Sequence, residues 1–392
     1  MSLLREEIFS QSWPTKPLGE VVEFLDNLRK PVKSSDRTEG DFNYYGANGL
    51  QGTIDDFLFD EPLVLLAEDG GHFGNPERNI AYIAEGKYWV NNHAHVLKPR
   101  EGLDLRFLYR VLQKYDVSKY IKGATRAKLT KGDAAVMPIP LPPLTEQKRI
   151  AAILDKADAI RRKRQQAIQL ADDFLRAVFL DMFGDPVTNP KGWEIKPISC
   201  GIASITSGWS AKGESYPCKS NEYGVLKISS VTSGKFKPEE NKFIHNEEIP
   251  VGKKLEFPKK GDLLFSRANT RELVAATCIA PSDYNNIFLP DKLWNVRTNK
   301  ELLPEFVNYL MRQPRFKERL TSQATGTSGS MLNISKAKFE ATESIFPPLE
   351  LQKKFKAIYW KVQELISRLD DSLNECGNTF TSLSQKAFRG EL

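Results

Sequence analysis

The chain is short of the residues that most enzymes of its size display. Its four cysteines in 392 residues, Cys200, Cys218, Cys278 and Cys376, lie far apart with no paired spacing. That argues against a disulfide framework and against a cysteine-built zinc site, and it fits a reducing cytoplasm. Four histidines leave little from which to build a metal or proton-relay centre. His93 and His95 alternate on one strand-like run, but no cysteine or acidic residue adjoins them in sequence, so no metal is expected. No apolar run approaches a membrane span, and Met1-Ser2-Leu3-Leu4-Arg5-Glu6-Glu7 lacks an apolar signal core; a soluble, cytoplasmic protein with no membrane partner is expected. An excess of one charge is missing as well. The formal net charge of +6 permits nucleic acid as a partner without demanding it.

Catalytic signatures are absent too. There is no phosphate-binding Gly-x-x-x-x-Gly-Lys-Ser/Thr loop, no Asp/Asn-Pro-Pro-aromatic motif of an amino-methyltransferase, no Gly-x-Ser-x-Gly elbow and no His-Glu-x-x-His helix. Asp55-Asp56 reads as surface charge rather than a nuclease centre. No catalysis is expected, and no cofactor bound by this chain.

What is present is a duplication. Leu141-Pro142-Pro143-Leu144-Thr145-Glu146-Gln147-Lys148-Arg149-Ile150 recurs as Phe346-Pro347-Pro348-Leu349-Glu350-Leu351-Gln352-Lys353-Lys354-Phe355, an offset of 205 (347 − 142) that the Gln-Lys pairs share (352 − 147). Upstream, Trp13-Pro14-Thr15-Lys16-Pro17-Leu18 matches Trp193-Glu194-Ile195-Lys196-Pro197-Ile198 at an offset of 180 (193 − 13), so the second globular region carries 25 extra residues (205 − 180). The prolines forbid helix and Thr145 suits an N-cap, so each copy reads as a strand end feeding a helix. Four regions follow: a globule over 1–143 with a short arm to about residue 12, a helix over 144–185, a second globule over 186–348 and a second helix over 349–392.

Both helical regions carry a 3.5-residue stripe. In the first it runs Ile150, Ile153, Ala157, Ile160, Ala167, Ala171, Phe174 and Val178, broken at Arg164. In the second it runs Phe355, Ile358, Val362, Leu365, Leu369, Cys376 and Leu383, with Gly377 a weak point. Each helix is expected to span roughly 40 residues, or about 60 Å. Two such seams in one chain predict an antiparallel coiled coil within it, or self-association if they pair between chains. The alternative is that each stripe packs only on its own globule.

Each globule mixes short strand-like runs with one helical interval. In the first the runs are 62–67, 81–84 and 88–90, then a helix through Leu103, Phe107, Leu108, Val111 and Leu112. In the second they are 224–228, 261–266, 287–289 and 293–296, then a helix through Phe306, Val307, Leu310 and Met311. The expected class is α/β (α+β), a pseudo-two-fold internal repeat of two similar domains separated by long helices. Polar, aromatic loops recur at matching places. The first globule offers Arg29, Lys30, Lys33, Arg37, Tyr44, Tyr45, Asn48, Gln51, Asn92, His93, Lys122, Arg126 and Lys128. The second offers Ser207, Trp209, Lys212, Lys227, Ser229, Arg267, Asn269, Arg271, Thr327 and Ser328. Arginine pairs with guanine, Asn or Gln with adenine, and lysine with phosphates, which makes these the candidate DNA contacts. Arg161-Arg162-Lys163-Arg164 is a solvated face, a contact to phosphates, or a contact to an acidic partner.

The Leu-Pro-Pro-Leu-x-Glu-Gln-Lys-Arg-Ile and Phe-Pro-Pro-Leu-x-x-Gln-Lys-Lys copies leading into long helices resemble the spacer regions of the specificity (S) subunit of Type I restriction–modification enzymes. Tyr44-Tyr45-Gly46-Ala47-Asn48-Gly49 and Gly261-Asp262-Leu263-Leu264-Phe265-Ser266-Arg267 are similar to parts of its two target recognition domains. The resemblance covers essentially the whole chain, and the second copy departs by Leu351 where the first has Glu146. It implies a non-catalytic reader of a bipartite, asymmetric sequence in double-stranded DNA, with helices that set the gap. It further implies two methyltransferase (M) subunits supplying S-adenosylmethionine chemistry, and restriction (R) subunits using ATP and Mg2+. The competing readings are a stand-alone scaffold binding proteins or RNA, and an enzyme with a cryptic site.

Overall fold

A computed structural model describes residues 3–123, 127–322 and 331–392. It divides into two compact units: residues 1–167 with 368–392, and residues 168–367. Each unit therefore holds one globule together with part of each long helix. The helices run Leu144–Phe183 and Leu349–Arg389, 40 and 41 residues, and the second continues unbroken through Gly377.

In the first unit a four-stranded antiparallel sheet has the order Val22–Phe24, Ala94–Pro99, Leu63–Ala67, Ala81–Ala84. Leu63–Ala67 is buried at every position, as an unbroken Leu-Val-Leu-Leu-Ala run requires: packed on both faces, it has no polar side to show. A second sheet joins the hairpin Phe42–Gly46/Gly49–Ile54 to Tyr88–Val90, the last pair parallel. The hairpin turns on Ala47 and Asn48, and Gly49 at φ +102° takes the left-handed conformation that favours glycine. Asp104 caps the helix Leu105–Leu112 by accepting from the Phe107 amide.

The second unit repeats both sheets and adds a short ladder, Ala268–Asn269 with Leu332–Asn333, where the first has a single bridge between Asp69 and Lys128. Its sheet runs Ile202–Ser207, Leu293–Thr298, Leu263–Ser266, Thr277–Ile279, and its smaller sheet Asn241–Ile244, Tyr223–Leu226, Ile287–Phe288, again with a parallel last pair. Pro304–Arg312 replaces Leu105–Leu112, started by Pro304 in place of an aspartate cap. The ribbon Thr15–Pro17/Pro138–Pro140 is matched by Glu194–Pro197/Glu343–Phe346. Most of the extra length falls in two connections. Residues 227–240 replace the two-residue hairpin turn, and residues 245–262 replace the eight between Ile54 and Leu63.

The two Pro-Pro-Leu copies are the joints of the fold. The Pro143 carbonyl accepts from the Glu146 and Gln147 amides, and the Pro348 carbonyl from those of Leu351 and Gln352. Thr145 thus lies inside the first turn and is not the N-cap: the helix already starts at Leu144, directly behind a proline whose fixed φ suits helix entry. Beside each joint sits a buried glutamine. Gln147 accepts from the Asp104 amide (2.8 Å) and donates to the carbonyls of Gly102 (2.9 Å) and Pro142 (2.9 Å). Gln352 accepts from the Leu303 amide (2.8 Å) and donates to the carbonyls of Glu301 (2.9 Å) and Pro347 (2.8 Å). Each long helix ends at a glycine with positive φ, Gly184 and Gly390.

Within each unit the two helix segments pack antiparallel. In the first, Ile150, Ala151 and Leu154 share a core with Phe380, Ala387 and Phe388; in the second, Ala171, Leu175, Phe179 and Phe183 share one with Phe355, Tyr359, Val362 and Ile366. Of the expected seam, Ile150, Phe355 and Val362 are buried, and Ile153, Ala157, Val178, Ile358, Leu369 and Leu383 are partly buried. Ile160, Phe174 and Leu365 are exposed, which corrects their assignment to the seam. The buried arc of each helix turns toward its globule instead, where Arg110 on the globule's helix pairs with Asp155 (2.6 Å) and Arg312 with Asp172 (2.9 Å). The helix stripes pack on each other and on the globules at once.

Candidate nucleic-acid interface

In the first unit the fold gathers most of the candidate loops at one place. The Lys30 amide donates to the Val90 carbonyl, and the Trp89 indole donates to the Lys30 carbonyl (2.6 Å). Asn91 donates to the Gln51 side chain (3.1 Å), and Asn48 to the Gly70 carbonyl (2.9 Å). Segments 30–37, 48–51, 68–71 and 91–93 are thereby joined. Lys30, Lys33, Asn48, Gln51 and Asn92 stand exposed on this surface, and the Arg37 guanidinium lies 3.7 Å from the centre of the Tyr44 ring. Leu50, exposed at the hairpin tip, was not among the sequence candidates; a lone apolar residue beside Asn-Gly was the available signal. An exposed leucine there suits a thymine methyl.

Other candidates have partners within the domain. The Arg29 guanidinium is nearly enclosed, donating to Glu68 (2.7 Å) and the Ala94 carbonyl (2.7 Å) and lying 3.4 Å from Asp26. Tyr44 is buried, its hydroxyl bonded to the Val32 backbone, and the Tyr45 ring packs on Tyr82 and Tyr88. Lys122 pairs with Asp133 (2.6 Å), Lys128 with Glu68 (3.2 Å) and His93 with Asp69 (3.5 Å). Lys122 and Lys128 thus have carboxylate partners in the domain while their side chains stay exposed. Arg126 lies outside the described residues.

His95 corrects the view that the histidines lack acidic neighbours. Wholly buried, it faces Asp26 (2.6 Å) through Nδ1 and the Leu129 carbonyl (2.8 Å) through Nε2. Asp26, Glu68 and His95 are close enough to share a metal ion. The Arg29 guanidinium already lies against both carboxylates and Lys128 pairs with Glu68, so side chains of the domain engage these groups. Burial pushes the Asp26 and Glu68 carboxyls up, but His95 and Arg29 respectively, with their other hydrogen-bonding and charged neighbours, hold both below the usual carboxylate range. The cluster ties residues 26–29 to two strands and to Leu129, and it fixes the base of the exposed loops.

In the second unit Trp209 stacks on Phe288 with centroids 6.0 Å apart, and the Lys253 ammonium lies 5.6 Å from the Trp209 ring. Ser207, Lys212 and Arg271 are exposed, and Asn269 is half-buried, its side chain turned to the Thr270 amide. Arg267 is held by the Asp291 carbonyl (2.8 Å) and Asn333 (2.9 Å); Ser229 donates to Glu240 (2.8 Å), and Lys227 lies 3.7 Å from it. Those three have partners within the unit. Thr327 and Ser328 lie outside the described residues. On the long helix, Arg161 and Arg162 share one carboxylate, Asp158, both at 2.8 Å, so most of the charge of the basic run stays unbalanced along its own helix.

Among the described residues no helix is long and apolar enough to cross a membrane. The family model for the Type I restriction modification DNA specificity domain matches residues 10–170. The chain is 29% identical over 364 residues to the putative type I restriction enzyme specificity subunit S.HindORF215P of Haemophilus influenzae, covering 91% of this chain and 89% of that protein. It is 26% identical over 324 residues to the EcoKI specificity subunit of Escherichia coli, covering 76% of this chain and 68% of that one. In fold it is similar to the crystal structure of a Type-I restriction-modification system S subunit from M. genitalium, at TM-score 0.61 and 15% identity, with 99% of each chain covered.

Proposed function

We infer that this chain, with a Type I restriction modification DNA specificity domain over residues 10–170, is the specificity subunit of such a system. It recognises a bipartite, asymmetric target in double-stranded DNA, one half through each unit. The observation that carries this is the repeat of the same two sheets in the same strand order, with exposed loops that differ: a shared frame holds two readers of different sequence. In the first unit Lys30, Lys33 and Arg37 supply phosphate contacts while Asn48, Leu50, Gln51 and Asn92 reach base edges. In the second, Ser207, Lys212, Arg271 and the Trp209–Lys253 pair take that role.

The chain performs no chemistry itself. Methyltransferase subunits that use S-adenosylmethionine dock on it, and restriction subunits using ATP and Mg2+ complete the assembly in the cytoplasm. The paired carboxylates Asp26 and Glu68 support this, because Arg29 and Lys128 already pair with them. The test is a single-molecule methylome of cells carrying the cognate methyltransferase subunit with and without this chain. A new bipartite adenine motif that depends on the chain is expected; soluble protein with no new motif would overturn the reading. Purified chain incubated alone with DNA and S-adenosylmethionine should transfer no methyl groups.

A further inference from the structure

The second unit has a limb that the first lacks. Between strands Asn241–Ile244 and Leu263–Ser266 the chain takes the 18 residues 245–262, where the first unit crosses in eight, 55–62. Ile249, Leu255 and Phe257 pack this limb on Val225, Ile244 and Phe288 of the smaller sheet. The Glu256 carbonyl accepts from the Leu289 amide (2.9 Å), and the Leu289 carbonyl accepts from the Trp209 amide (2.9 Å). The limb is therefore fixed beside Trp209, at the end of the sheet where Leu226 pairs with Asn241. A Cβ at Gly208 would overlap the Leu289 carbonyl, so only glycine lets the Trp209 segment lie so close.

The limb ends in a β-turn over Pro250–Lys253, closed by the Lys253 amide on the Pro250 carbonyl (2.9 Å), with Gly252 at φ +77°. Val251 at its apex is wholly exposed, and Lys253 and Lys254 beside it are exposed too. The Lys253 ammonium lies over the Trp209 ring, and among the described residues neither lysine pairs with a carboxylate. The limb's acids are placed elsewhere. Glu256 turns inward to accept from Asn295 (2.9 Å) and Arg297 (2.7 Å), and Asp262 accepts from Asn295 (2.6 Å). Glu247 and Glu248 are exposed but follow Ile244, at the other end of the strand from Asn241. That is about 10 Å away, roughly one Debye length at physiological salt. The first unit's crossing instead holds Asp55, Asp56, Asp60 and Glu61 with no basic residue. The same contrast marks the two regions as wholes: 186–348 has 23 Lys and Arg against 17 Asp and Glu, and 1–143 has 18 against 20. Phosphates are drawn to the second unit more than to the first.

We propose that this limb is a DNA clamp belonging to the second unit alone, in which Lys253 and Lys254 take two phosphates beside the half-site and Val251 packs on the sugars between them. The two units then hold DNA unequally, the second through salt-sensitive contacts that the first does not make. The proposal rests on the reading above, in which both units bind DNA. The experiment measures fluorescence anisotropy of the full chain on two short duplexes, each spanning one half-site of the methylated motif with its flanks, from about 50 to 200 mM salt.

The salt slope should be steeper by about 2 on the duplex that the second unit reads. Lys253→Gln/Lys254→Gln should remove that difference, so that over this range the unaltered chain loses about tenfold more affinity than the variant. Val251→Asp, which sets a carboxylate among the phosphates, should weaken binding to the same duplex severalfold. All three positions are exposed, and thermal melting shows that each variant folds. Equal slopes on the two duplexes, or a double variant whose slope is unmoved, would overturn the proposal. So would a double variant that binds DNA unchanged and loses a protein subunit from the assembled complex. Because the clamp touches phosphates, the double variant should lower the slope by about 2 on an unrelated duplex as well. If it does so while no methylated motif ever appears, the specificity-subunit reading fails and the clamp stands.

Discussion

The buried glutamines at the two joints set up a sharp prediction. Gln147→Ala removes three hydrogen bonds, from the Asp104 amide at 2.8 Å and to the Gly102 and Pro142 carbonyls at 2.9 Å each. At about 1 kcal/mol for each bond, with three buried backbone groups left in need of water, the loss is about 3 kcal/mol. That is a large part of the 5–15 kcal/mol by which a domain of this size is typically stable. Gln147→Glu should fare no better: the carboxylate still accepts from Asp104 but faces two carbonyls without a proton to give. The bond lengths at Gln352 agree to within 0.1 Å, so Gln352→Ala should cost the second unit a similar amount. Hydrogen exchange on the full chain reads both variants. In Gln147→Ala, protection should collapse around 102–108 and 138–150 and persist around 301–310; Gln352→Ala should give the reverse. A loss below about 1 kcal/mol in both, or melting of both units together, would refute the argument that each joint is closed locally by one glutamine.

Three further outcomes follow from the interface and one from the long helices. Arg29→Ala should destabilise the first unit by about 3 kcal/mol, because Asp26 and Glu68 lose their bridging cation, whereas Lys33→Ala should leave stability within about 0.5 kcal/mol; urea melts compare them. Lys33→Ala should instead weaken DNA binding for matched and mismatched sequences alike and reduce the salt slope by about 1. The Asp26 and Glu68 carboxyls titrate lower folded than unfolded, so their stabilisation is present above about pH 4 and fades as acid reaches the folded values; the first unit's melting temperature should fall over that range, less so in Asp26→Asn. Inserting one heptad into both long helices adds about 10 Å of rise, so the methylated motif should keep its half-sites and lengthen its spacer by about three base pairs.

Much of this architecture is legible in the sequence because the duplication is. The Pro-Pro-Leu copies and the tryptophan marks locate both helices and both globules, and runs such as Leu63–Ala67 announce buried strands. The seam is legible only in part. A 3.5-residue stripe collects every apolar residue at the right interval, and it cannot tell Phe174, on the outer flank, from Phe179, which packs on Phe306. Which flank is buried depends on where the globule sits, and that is set by Arg110, Arg312 and the two glutamines. The loops fail for a related reason. Arg29 and Lys33 are neighbours of equal charge, but Arg29 meets Glu68, 39 residues away, and local composition does not show that encounter.

The two-residue turn at Ala47-Asn48 and the fourteen residues 227–240 connect the same pair of strands in the two units. Closing a chain over seven times the length costs about 2 kcal/mol in entropy, because the penalty grows only with the logarithm of length. A protein whose readers hang on such connections can trade one vocabulary for another by insertion, while the strands beneath keep their register. Novelty in what is read then comes at a small and nearly constant cost in folding, which is the condition under which the loops can diversify quickly.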